Sequence, residues 1–247
     1  MTFNIHWCVD MDGNYNIKRI ANVINEENPD VVGLQEVHCK TSLYSEDQAQ
    51  ELARLTSREA CFYPVMSGCP TDPDGPGSYG LAILTRYKIE VSVYQPYPLK
   101  SGWSRSQEPR GALAVKLRSG MWFVNTHFGC DITGYEQAAS APLLDSFVET
   151  VCGKDTAVIV GDFNGCPIRS SIKKLRKKWV DAWTLYGKGS YFEGCTMPSW
   201  FPIERIDYIF IRQGTQQQLQ VTDCRVSTYD KCASDHFAVI CDGYLLR

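Results

Sequence analysis

Six times along the chain a short apolar, β-type run stops on side chains able to hold a hard cation or a phosphate. The stops are Phe3-Asn4-Ile5, Leu34-Gln35-Glu36, Asn125-Thr126-His127, Gly161-Asp162-Phe163-Asn164, Arg205-Ile206-Asp207-Tyr208 and Ser234-Asp235-His236. Polar groups that close apolar strands gather at the mouth of a sheet, on loops carried by a rigid scaffold. A chain punctuated in this way must bring several strand ends to one place.

Between the stops the periodicity is mixed. Residues 2–7 are β-rich, and Ile17, Ile20, Ala21 and Ile24 recur at helical spacing until Asn28-Pro29 ends the run. Val31, Val32 and Leu34 make a buried strand. A helix is predicted over 45–57, strands over 61–65, 79–84 and 89–94, and a loop over 69–77, where Pro, Gly and Asp cluster. Leu113, Val115 and Leu117 alternate, Ser119-Gly120 turns, and residues 121–125 return, which is a hairpin pattern. Leu144, Phe147, Val148 and Val151 mark a helix face, with Pro142 near its first turn and Gly153 closing it. An apolar strand at 156–160, a basic helix at 168–179, and strands near 205–211, 219–226 and 236–241 complete the chain. Strands and helices that mix in this way predict an α+β architecture: a four-layer α/β sandwich of two packed, mostly antiparallel β-sheets flanked by helices. No repeat or linker divides residues 1–247, so one domain and a monomer are expected.

Charge and cysteine content narrow the function. A net charge of −3 gives no bulk attraction to nucleic acid or an anionic membrane, so a phosphate-bearing substrate must be met locally. An acidic site loaded with a divalent cation would do this. No run reaches the length of a membrane span, and residues 1–9 lack the pattern of a leader, although one could have been trimmed away. Eleven cysteines without CxxC or Cys/His zinc spacing suit a reducing, cytoplasmic location. Cys166 and Cys195 fall in loops that the proposed fold could bring together as a disulfide.

Taken singly, each stop has a plain structural explanation. Glu36 could be a solvated strand end, Asp162 and Asn164 turn formers, Asp207 an outward strand residue, Asp235 a cap, and His127 and His236 satisfied interior histidines. Together and in this order they resemble the endonuclease/exonuclease/phosphatase superfamily, over residues 3 to about 241. Tyr79-Gly-Leu-Ala-Ile-Leu-Thr-Arg86 and Glu108-Pro-Arg-Gly-Ala-Leu113 are similar to further family segments.

The resemblance implies a phosphoesterase dependent on Mg²⁺ or Mn²⁺, acting by in-line attack of water. Glu36 and Asp235 would bind the metal, an assignment that oxygen-only donors suit, and Asn4 would help to hold it. Asp162 would orient and deprotonate the water, Asn164 would steady the developing charge, and His236 with Asp207 would form a proton-carrying pair. His127 and Arg110 would be further phosphate contacts. One departure stands out: pancreatic-type deoxyribonucleases support the histidine matching His127 with a glutamate, where this chain reads Ser78-Tyr79-Gly80.

Among substrates, nucleic acid stands slightly ahead of phospholipids and small phosphate esters. A binding protein without turnover is disfavoured by the retention of all these groups. Loops 69–78, 98–108 and 190–204 should frame the site, carrying Trp103, Tyr191, Phe192, Trp200 and Phe201, which could stack on a substrate or merely cover the core edge. Arg169, Lys173, Lys174, Arg176, Lys177 and Lys178 form one basic stretch, either a solvated helix face or a track for a nucleic-acid backbone.

Overall fold

The computed structural model describes residues 1–98, 108–190 and 192–246. In chain order its elements are β1 (Thr2–Asn4), α1 (Ile17–Glu27), β2 (Val31–Cys39), α2 (Gln48–Thr56), β3 (Glu59–Ser67), β4 (Ser78–Thr85), β5 (Ile89–Tyr97), β6 (Arg110–Leu117), β7 (Trp122–His127), α3 (Tyr135–Cys152), β8 (Ala157–Asp162), α4 (Ser170–Leu175), β9 (Val180–Asp181), α5 (Ala182–Tyr186), β10 (Asp207–Arg212), β11 (Gln218–Val226) and β12 (Val239–Leu246). The strands form two six-stranded sheets, ordered β11-β12-β1-β2-β4-β3 and β5-β6-β7-β8-β10-β9. Only β1–β2 and β7–β8 pair in parallel among the described residues.

Alternation along the strands builds three apolar layers. On β4, Leu81 and Ile83 face the second sheet, while Ala82 and Leu84 face α1 and α2, where Ile20, Ile24, Ala49 and Leu52 meet them. On β6, Leu113 and Val115 point between the sheets, and Ala112 and Ala114 lie under Leu144, Phe147 and Val148 of α3. Helices outside, sheets inside: this is the four-layer sandwich expected. Each large apolar side chain so buried contributes about 1.5 to 3 kcal/mol.

A polar bridge crosses the middle layer. The amide nitrogen of Asn125, on β7, donates to the carbonyls of Leu34 (2.8 Å) and Ala82 (2.9 Å) in the other sheet. Its Oδ1 accepts from Gln35 Nε2 at 2.7 Å. Gly33 permits this approach, since a Cβ there would lie 2.6 Å from a Val160 methyl and 2.9 Å from Asn125.

Local boundaries differ from the sequence reading for physical reasons. β1 stops at Asn4, and His6, Trp7 and Cys8 then turn with φ of 44°, 58° and 63°, so residues 2–7 are not one strand. α3 begins at Tyr135, well ahead of Pro142, because its first turns bury small or polar residues (Gln137, Ser140 and Ala141) that give no apolar period. The basic helix contracts to α4. The final strand starts at Val239 rather than 236, because the Phe237 N–H bonds to the Thr196 carbonyl (2.8 Å) and residues 234–238 serve a loop. No helix of the described residues is long and apolar enough to cross a membrane.

Candidate active site

Strand register does most of the positioning. In the second sheet His127 on β7 is the partner of Asp162 on β8, and Asp162 is the partner of Asp207 on β10, so three chemical groups stand in one row. In the first sheet Asn4 pairs with Gln35, and the β2–β4 register shifts between Leu34 and Val37. That bulge puts Glu36 at φ 63° and turns it out of the alternation, as bulges beside functional sites do. Asn164 is likewise left-handed, at φ 45°. Non-glycine residues in this region are uncommon and cost about 1 to 3 kcal/mol each, a strain that gathers at functional sites.

The two halves meet on one oxygen. Asp162 Oδ2 receives the Asn4 amide (3.1 Å) and lies 3.4 Å from His127 Nε2 and 3.8 Å from His236 Nε2. Asp162 is buried, which opposes its ionisation. The hydrogen bond from His127 and the nearby charge of His236 outweigh that, and its pKa is held well below the usual carboxylate range.

His236 is the other end of a relay. Its Nδ1 donates to Asp207 Oδ2 (2.9 Å), which also accepts from the Thr196 hydroxyl (2.6 Å). Burial opposes charge on the ring, yet the carboxylate of Asp207, followed by Asp162 and Asp235, raises its pKa to about 10. The imidazole is therefore charged at neutral pH, with Nε2–H aimed at Asp162.

Arg110 enters the site through His127. Its NH1 lies 3.1 Å from His127 Nδ1 and 2.8 Å from the Glu108 carboxylate. A guanidinium can only donate, so Nδ1 must accept, and the proton of the neutral ring sits on Nε2, facing Asp162. The group that meets His127 Nδ1 is thus a cation, not a carboxylate. Asn164 completes this side: its amide nitrogen donates to the Phe128 carbonyl (2.9 Å) and touches His127 Nε2 (3.2 Å), and its own backbone carbonyl accepts from Gln137 Nε2 (3.0 Å).

Glu36 and Asp235 stand at the open edge. Glu36 Oε1 accepts from Asn4 Nδ2 (3.0 Å), and the Asn4 backbone carbonyl accepts from the Ser234 hydroxyl (2.8 Å), next to Asp235. Neither carboxylate is paired with Lys or Arg among the described residues; Asp235 has only His6 at 4.0 Å. Two half-exposed, uncompensated carboxylates with an amide and hydroxyl beside them fit a hard divalent ion. Asn4 Oδ1 accepts from the His6 N–H (3.1 Å), which leaves its amide nitrogen to hold the carboxylates of Glu36 and Asp162. The buried Asp162, Asp207 and His236 also present ligand atoms within 4.8 Å of one another. Within that trio His236 Nδ1 is already bonded to Asp207.

The expected site residues Asn4, Glu36, Arg110, His127, Asp162, Asn164, Asp207, Asp235 and His236 are thus linked through short contacts. Sequence reading missed Thr196, Gln137, Ser234 as a donor, and His6. Hydroxyl and amide residues in loops carry no periodic signal, and only the Ser-Asp-His motif hinted at Ser234.

Trp200 and Phe201 are 69% and 62% exposed, so they do not cover the core edge. Their loop is fixed at its base, where the Ser199 N–H and hydroxyl donate to the carbonyls of Asp235 (2.8 Å) and Ser234 (2.7 Å). Cys166 is a free thiol, so no disulfide joins it to Cys195. Trp103 and Tyr191, with most of loop 98–108, lie outside the described residues.

The sequence profile of the Endonuclease/Exonuclease/phosphatase family matches residues 1–236, and the chain belongs to that family. An endonuclease/exonuclease/phosphatase of Beutenbergia cavernae is similar over 99% of this chain and 70% of its own, with 25% identity and a TM-score of 0.82. A humanized D. rerio TDP2 is 17% identical over 98% and 97% of the two chains, and the human Nocturnin catalytic domain 19% identical over 99% and 92%, both with a TM-score of 0.70. The last two show the shared fold. No curated protein matches the chain.

Proposed function

We propose that the chain, acting as one domain, is a Mg²⁺- or Mn²⁺-dependent phosphoesterase, with nucleic acid slightly preferred as substrate. The observation that carries this reading is the convergence on Asp162 Oδ2 of the Asn4 amide, His127 Nε2 and His236 Nε2. A carboxylate so surrounded is held as an anion beside a charged imidazole. It can fix a water by accepting its hydrogen bond, in line with a phosphorus held by the donors around it.

Glu36 and Asp235 would hold the ion, with Asn4 orienting Glu36 and with the Ser234 hydroxyl beside Asp235. When bound, the metal supplies positive charge that offsets charge developing on phosphate oxygens. His236, kept charged by Asp207, donates from Nε2 to a non-bridging oxygen. His127, its proton fixed on Nε2 by Arg110, adds a second donor, and the Asn164 amide a third. As the water oxygen bonds to phosphorus its proton passes toward Asp162, and the ester oxygen departs. His127 ends β7, Asn164 follows β8 by two residues, and His236 is fixed in its loop by Asp207, so each donor is held before the substrate arrives.

The exposed Trp200 and Phe201 favour one second reading, a phospholipid or small phosphate ester with an apolar part. A substrate panel tests both: single- and double-stranded DNA, RNA, 5′-tyrosyl DNA, sphingomyelin, inositol phosphates and a generic bis-ester, each with Mg²⁺ or Mn²⁺. Metal-dependent turnover of any of these supports the phosphoesterase. No turnover of the whole panel by folded protein overturns it.

A further inference from the structure

The sandwich has a second opening, at the end away from the strand tips described above. A cavity of about 500 Å³ lies where the sheets part, lined by Val31, Phe123, Val158, Ile209 and Ile240, with Cys241 on its wall. That volume is within the range of small-molecule sites. No residue of the candidate active site lines it.

Cys241 on β12 is the ladder partner of Cys224 on β11. No other two cysteines are ladder partners among the described residues. Directly opposite residues share a face, and both side chains pack in the layer between the sheets. The two side chains lie side by side on that face. Opposed strand positions place Cα atoms about 4.5 to 5.5 Å apart, inside the window of about 4.4 to 6.8 Å that a disulfide spans. The two differ in access: Cys224 is 1% exposed, whereas Cys241 is half-buried at the cavity. The neighbouring Cys224 thiol, with the Met1 ammonium, also holds the Cys241 pKa below the ordinary thiol value, against burial, which favours Cys241 as the attacking sulfur.

We propose that Cys241 and Cys224 form a thiol–disulfide exchange site that takes a low-molecular-weight disulfide from the cavity. The Cys241 thiolate attacks one sulfur of the small disulfide, forming a mixed disulfide and releasing one thiolate. The Cys224 thiol then loses its proton and attacks Cys241 Sγ, closing the cross-strand bond and expelling the second small thiolate. Two protein thiols are oxidised and one small disulfide is reduced to two thiols, so atoms and electrons balance. The product ties β11 to β12, the strand that leaves the Ser234-Asp235-His236 segment.

The test uses the intact chain, folded and initially reduced, incubated with oxidised glutathione, then alkylated and mapped by peptide mass. Wild type is expected to give a Cys224–Cys241 linked peptide that dithiothreitol removes. Cys224→Ser should trap glutathione on Cys241, and Cys241→Ser should leave Cys224 unmodified. Exposed Cys130 reports that the reagent is active. Glutathione on Cys130 with no Cys224–Cys241 link in wild type would overturn the proposal. So would Cys224→Ser with a wild-type melting temperature and no adduct at Cys241.

Discussion

Replacing Asp207 by Asn keeps an oxygen for the Thr196 hydroxyl and the His236 ring but removes the charge. In the native site Asp207 is the largest influence holding His236 protonated against burial, with a pKa of about 10. At about pH 8 such a group is about 99% imidazolium. Without the carboxylate its pKa should fall back to the ordinary value near 6.5 or below, since burial then acts with less opposition. The charged fraction at about pH 8 becomes about 3% or less, and turnover that needs an Nε2 proton falls roughly thirtyfold or more. At about pH 6 the loss should be at least about tenfold smaller than at about pH 8. The assay is the pH dependence of kcat on the best substrate of the panel, with Mg²⁺ present. Wild type should hold its plateau toward about pH 10, and Asp207→Asn should bend near pH 6.5. Stability moves with the same group: folding raises the His236 pKa, so its contribution is complete below about pH 6.5 and is lost as pH rises through about 10. Parallel wild-type and variant profiles between about pH 6 and 9 would refute the relay.

EDTA should abolish activity and Mg²⁺ or Mn²⁺ restore it, while Glu36→Gln should raise the metal concentration needed for half-maximal rate; undiminished turnover in metal-free buffer would rule the metal out. Asp162→Asn and His236→Ala should each lower kcat by about 10² to 10⁴ with the melting temperature measured alongside. Their double variant should lose much less than the product, because both groups serve one transition state. Arg110→Met should free the His127 ring to move its proton, which the ¹⁵N shifts of Nδ1 and Nε2 report directly; unchanged shifts would remove Arg110 from that role. If α4 and the turn after it track a polynucleotide, replacing Lys173, Lys174, Lys177 and Lys178 by Ala should flatten the slope of log affinity against log salt by slightly under one for each phosphate left without its lysine. An unchanged slope would assign those lysines to solvent.

The architecture is legible in the sequence because alternation and helical spacing are dictated by burial: Leu81, Ile83, Leu113 and Val115 appear at the period their layer requires. The site is legible through its motifs, not through any physical property of the residues alone. Asp162 in isolation reads as a turn former, and only the six ordered stops give it a chemical role. Arg110 reads as a phosphate contact, and its approach to His127 Nδ1 is a side-chain contact that the hairpin pattern alone does not specify. Thr196 escapes notice because a hydroxyl in a loop leaves no periodic signal. Pro142 misleads about α3 because proline is common in a first turn, while the small residues ahead of it leave no apolar stripe.

The Asn125 bridge bears on how this site could be dismantled. Its three hydrogen bonds span the sandwich, and the Gln35 amide that meets it precedes Glu36. Each sheet owns part of the constellation: Asn4 and Glu36 ride on one, His127, Asp162 and Asp207 on the other. Neither sheet alone carries the whole constellation. Turnover would therefore report the docking of two preformed layers, and a substitution such as Asn125→Leu should extinguish it while circular dichroism still shows both layers intact.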